Sequence, residues 1–175
     1  MKRIKNMSLK SKLVVVVGFA AVVVIGYFGM GYYHTYHAEK MVAEHPKQAV
    51  LQASTVKDSD WNLHLDPTTS EDAVENIMHQ MTHQKVEADQ KWGAIPMIPD
   101  TINQVYKVVK NSDFPDKDDL MGMLEEWKAG NFSHAASDHN YLWERLGGTV
   151  GEAMGIATPE EEAEYVLENF SSKVK

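Results

Sequence analysis

Glu75, His79, His83 and Glu87 recur at intervals of four residues. On a helix, that spacing stacks side chains along one face. Two imidazoles one turn apart can share one Zn2+ or similar divalent ion, and a carboxylate such as Glu75 or Glu87 can complete or orient the site. The general-base Glu of the H-E-x-x-H metalloprotease pattern is missing, because Gln80 follows His79. The helical wheel counsels a plainer reading. With Val74 as zero, Met78, Met81, Ala88 and Trp92 fall within about 40° of one line, whereas His79 and His83 fall near 140° and 180°. A solvated polar face with local Glu–His pairing is therefore expected over a metal site.

His139 differs, since it lies in the apolar stripe Phe132, Ala135, Ala136, His139, Leu142, Trp143, Leu146. The string Asp138-His139-Asn140 can supply a ligand or an acid–base pair, but a core histidine satisfied by backbone or a carboxylate is the commoner case. If the His79 helix is buried on two sides, His79 or His83 can meet His139, and Val86, near 120° on the wheel, permits it. The metal candidates are thus His79, His83 and His139, with Glu75 and Glu87 as carboxylates. No catalytic residue and no cofactor site is assigned.

Other chemistries lack their residues. The chain of 175 residues has no cysteine, which removes disulfides, thiolate zinc sites, iron–sulfur clusters and a cysteine nucleophile. The glycine-rich run Gly147–Gly155 has no Lys-Ser/Thr ending and no preceding strand, so it is not a phosphate loop. No G-x-S-x-G elbow occurs. The acidic runs 116–119 and 160–164 lack calcium-loop spacing and suit helix starts.

Charge is divided unevenly. Residues 1–33 carry five positive side chains and no acid, which leaves 12 positive against 25 negative, or −13, in the remainder. Such a surface does not suit a general nucleic-acid binder. Leu13–Tyr33 is an uncharged run of 21 residues, about 30 Å as a helix and long enough to cross a bilayer. The basic residues precede it, which places the N-terminus in the cytoplasm and the bulk of the chain outside. Tyr27, Tyr32 and Tyr33 suit the outer interface. The run leads into bulky residues rather than an A-x-A-like site, so an uncleaved anchor is expected over a removed signal peptide.

The organisation expected is a cytoplasmic tail (1–12), a transmembrane helix (13–33), a stalk or linker (34–66) and an all-α extracytoplasmic domain (67–175) of five or six helices. Trp61, Leu63 and Leu65 allow one short strand-like piece in the linker. Pro67 and a capping box Thr68-x-x-Glu71 open the first helix, which runs to Trp92 and stops at Gly93. Helices follow from Asp100, over 116–129, over 133–146 and briefly over 150–155. The last opens at Thr158-Pro159-x-Glu161 and buries Ala163, Val166, Leu167 and Phe170.

The strings MHQMTHQKVEADQKWGAIPM (78–97), FSHAASDHNYLWERLGGTVGEAMGI (132–156) and TPEEEAEYV (158–166) resemble a small family of membrane-anchored proteins of unknown function from Bacillus-type bacteria. The resemblance covers residues 70–170 and implies a basic start, one span and a helical outer domain, with no activity attached. The function expected is a membrane-tethered, non-enzymatic helical domain that binds a protein or envelope partner. The alternative is a His-based metal-binding domain, a metal-dependent hydrolase among its forms.

Overall fold

The computed structural model describes residues 61–170, together with Gly29, Met30, Tyr32, Tyr33, Tyr36, His37, Lys40 and Ala43, all eight of them helical. The expected cytoplasmic tail, most of the expected transmembrane run and most of the stalk lie outside the described residues. Among the described residues, no helix is long and apolar enough to cross a membrane.

Five helices and one short antiparallel pair make up the described domain. They run α1 (Glu71–Thr82), β1 (Val86–Glu87), α2 (Pro99–Asn111), α3 (Lys117–Lys128), α4 (Ala135–Arg145), β2 (Gly155–Ile156) and α5 (Pro159–Phe170). The main core joins Val74, Met78 and Met81 of α1 with Ile102, Val105 and Val109 of α2. Leu120, Leu124 and Trp127 of α3 and Leu142 of α4 complete it. Fully burying side chains of this size stabilises by about 1.5–3 kcal/mol each. Residues 61–66 also belong to the packed domain. Leu63 and Leu65 rest on the core, and Gln104 of α2 takes the Leu63 N–H (3.0 Å) and donates to the Trp61 carbonyl (2.6 Å). The alternation of Trp61, Leu63 and Leu65 is therefore real, but a side-chain amide satisfies the backbone and no strand forms.

Several element ends differ from expectation. The first helix begins at Ser70, whose Oγ accepts the Ala73 N–H at 3.3 Å, not at Thr68. Asp66 holds both the N–H and the hydroxyl of Thr68 (2.7 and 2.6 Å), so Thr68 is spent in a turn. α2 begins at Pro99 rather than after an Asp100 cap, with the Thr101 hydroxyl accepting the Ile98 N–H at 3.2 Å. Pro99 occupies the first turn, where a missing N–H costs nothing.

The largest departure concerns α1. It stops at Thr82, tightens into a 3-10 turn over His83–Lys85, and passes into β1, instead of continuing to Trp92. The expected short helix over 150–155 is likewise absent, because its end pairs with β1 in the register Val86↔Ile156 and Glu87↔Gly155. Met154 N–H to Glu87 O (2.8 Å) and Ala157 N–H to Lys85 O (3.0 Å) extend the pairing. Val86, stiff at Cβ, is fully buried with Ala135 and Ala153 in a small second core. Trp92 fell on the apolar line only by extrapolating the helix; it is 71% exposed. The expectation for α5 agrees closely. Thr158 and Glu161 close a reciprocal box (2.7 and 3.2 Å), and the four named residues are buried.

Candidate metal centre

α1 has two buried faces. One carries Val74, Met78 and Met81 into the main core, and the other lies against α4, which presents His139. His79, His83 and His139 thereby converge, each offering a ring nitrogen within 4.8 Å of the others. His83 is 1% exposed and His139 0%. The Nε2 atoms of His79 and His139 are 3.1 Å apart. Two nitrogens bound tetrahedrally to one zinc ion, each about 2.0–2.1 Å from it, lie about 3.3 Å apart. The His79–His139 spacing is close to that value, and a ring nitrogen of His83 lies within 4.8 Å of both.

The outer nitrogens decide which way the lone pairs face. His83 Nδ1 is 2.9 Å from the Gly93 carbonyl, which can only accept, so Nδ1 carries the proton and Nε2 is bare. His139 Nδ1 is 2.9 Å from Asn140 Oδ1. The Asn140 orientation follows from its other bonds, since Nδ2 donates to Ala153 O (3.0 Å) and Oδ1 accepts Ala153 N–H (2.7 Å). His139 must therefore also be protonated at Nδ1 and bare at Nε2. Metal-ligating histidines have this arrangement, the distal N–H fixed by an acceptor behind it.

Burial, together with the neighbouring imidazoles, pushes His79 down to about 3. Burial takes His83 down to about 4, against the opposing hydrogen bond to Gly93 and with help from His139 and Lys91. His139 is lowered by the same chief cause, burial. All three rings are thus neutral near pH 7, the state in which imidazole ligates metals.

Gly93 reaches His83 because it sits at φ +87, a left-handed conformation in which a Cβ would strike the Gln80 side chain. The Lys-Trp-Gly turn thus belongs to the site through its backbone, a role that side-chain patterns do not reveal. Asn140 joins the site instead through its side-chain amide, a role that the string Asp138-His139-Asn140 does not by itself reveal. Asp138 points elsewhere, accepting from Trp127 Nε1 at 2.8 Å, so no Asp138–His139 pair exists.

The two carboxylate candidates do not join the histidines. Glu75 is buried on another side of α1, 2.5 Å from Arg145 Nε. There it groups with Glu71 and Asp116, the latter also paired with Arg145. Burial raises the Glu75 carboxyl, and Arg145 opposes that rise. Glu87 is exposed on β1. The four-residue series from Glu75 to Glu87 thus divides, because Glu87 lies beyond the helix.

A cleft of about 270 Å3 opens beside the histidines, and both His79 and His83 line it. Residues 147–151 wall it with Trp92 and Trp143, and Trp143 Nε1 donates to Val150 O at 2.7 Å.

Residues 78–167, about half of the chain, match the family described as Family of unknown function (DUF6241). The chain belongs to this family. All three histidines, Gly93, Asn140 and Ala153 fall within the matched segment. No curated protein and no solved structure matches the chain.

Proposed function

We propose that the domain binds one divalent transition metal of the zinc type through Nε2 of His79, His83 and His139. The observation that carries this reading is the convergence of His79 on α1, His83 in the turn that follows it and His139 on α4, the last two buried and with their distal Nδ1 atoms held by Gly93 and Asn140. Three neutral nitrogen donors suit zinc and its neighbours better than calcium or magnesium, which prefer oxygen. The cleft is lined by no carboxylate that could serve as a general base, so metal binding is favoured over hydrolysis.

The sequence supports a location for this centre. Leu13–Tyr33, preceded by five basic residues, serves on this reading as an uncleaved span that tethers the domain outside the cytoplasm. Membrane fractionation tests the tether: the chain should pellet with membranes and resist alkaline extraction, and recovery in the soluble fraction contradicts it.

Elemental analysis of the purified full chain tests the metal. One equivalent of zinc per chain is expected, lost in a His83→Ala/His139→Ala variant that keeps its helical circular dichroism. A folded wild-type chain that takes up no zinc, cobalt or nickel on dialysis overturns the proposal.

A further inference from the structure

Three protein nitrogens leave a tetrahedral ion one coordination position, and here that position has a definite outlook. His139 is fully buried and His83 nearly so, whereas His79 is partly exposed, and His79 and His83 both form part of the cleft lining. A metal held among the three faces the cleft through the side occupied by His79 and His83. Histidine-only sites with an open position are the arrangement that accepts exogenous ligands, in contrast to closed structural sites.

The cleft also bears on what the ligand is. Neutral imidazoles leave the charge of a divalent ion uncompensated, and no acidic side chain lines the cleft to offset it or to compete. An anion is the natural fourth ligand. Asn76 and Gln90 are among the residues lining the same space, and a side-chain amide is a group whose N–H can serve the second oxygen of a carboxylate bound through its first. The remaining wall is aromatic. Trp143 has its N–H engaged by Val150 O and so offers only ring surface, and Trp92 stands 71% exposed at the opening. At about 30 Å3 per water molecule, 270 Å3 is space for roughly nine waters, which is enough for a small organic molecule.

We propose that a small carboxylate with an apolar or aromatic body enters this cleft, its carboxylate taking the fourth metal position and its body lying against Trp92 and Trp143. This rests on the metal reading above, and the test separates the two. Cobalt(II) replaces zinc in the purified full chain and its visible bands report the coordination sphere. Sodium benzoate and sodium azide are then titrated in turn, the first with an aromatic body and the second without.

Both anions should shift the cobalt bands saturably. In Trp92→Ala, the benzoate dissociation constant should rise about tenfold, the effect of losing one aromatic contact, while the azide constant stays unchanged. Trp92 is exposed, so its truncation leaves the core intact. Histidine-type cobalt bands that neither anion perturbs overturn the open fourth position and leave the metal reading standing. Azide binding without benzoate binding, or benzoate binding indifferent to Trp92, overturns the role of the cleft. Absence of any cobalt band strikes the metal reading itself.

Discussion

Asn140 Oδ1 accepts the Nδ1–H of His139 at 2.9 Å while the same amide closes two bonds with the Ala153 backbone. The imidazole is thereby fixed in tautomer and orientation by the chain segment that leads into β2. An element that contributes no histidine to the cluster thus sets the direction of one.

Asn140→Ala should lower zinc affinity about 10–100-fold, the usual effect of removing an outer partner of a ligating histidine. Asn140→Asp keeps the acceptor for His139 but loses the donor to Ala153 O. It should retain most of the affinity while costing about 1–3 kcal/mol of stability for the orphaned carbonyl. Chelator competition and chemical denaturation, read on both variants, check the split.

Metal should stabilise the folded chain by mass action. At a free zinc concentration one hundred times its dissociation constant, the gain is about 2.7 kcal/mol. For a domain of this size, that corresponds to a rise in Tm on the order of 10 °C. Addition of a chelator in a thermal melt should reverse the rise in the wild type and have no effect in His83→Ala/His139→Ala.

Arg145→Gln should destabilise by about 3 kcal/mol at neutral pH, because it leaves the buried Glu75 carboxylate without its partner. Burial already raises the folded-state pKa of Glu75 above 4.5, and loss of Arg145 raises it further. Between the unfolded and folded values, the native state binds more protons than the unfolded state, so this group's contribution improves as pH falls. The deficit of the variant relative to wild type should therefore shrink as pH is lowered from neutral toward the ordinary carboxyl range. Urea denaturation of the pair across that range measures it; a constant deficit contradicts the assignment.

Gly93→Ala should cost about 1–2 kcal/mol for a side chain forced into a left-handed conformation. It should also weaken metal binding, because the Gly93 carbonyl that orients His83 moves with the turn. A variant that loses stability yet keeps full zinc affinity would show that this carbonyl does not orient the ligand.

The helices were largely legible because each is an amphipathic run with its own punctuation. α5 shows this best, with the Thr158–Glu161 box and the stripe Ala163, Val166, Leu167 and Phe170 all in place. Capping and periodicity are local, and residues a few positions apart suffice to specify them. The three histidines were legible as candidates for the same reason, by type and spacing. Their burial was not, since it depends on α4 covering a second face of α1 and on the chain leaving the helix at Thr82. That exit depends in turn on Val86 and Glu87 pairing with Gly155 and Ile156, some seventy residues away. Composition and local pattern determined the helices, the acidity and the absence of thiolate chemistry. Only tertiary structure decided that His79 meets His139 and that Glu75 belongs to Arg145, because those contacts join residues 60 and 70 positions apart, beyond the reach of any local periodicity.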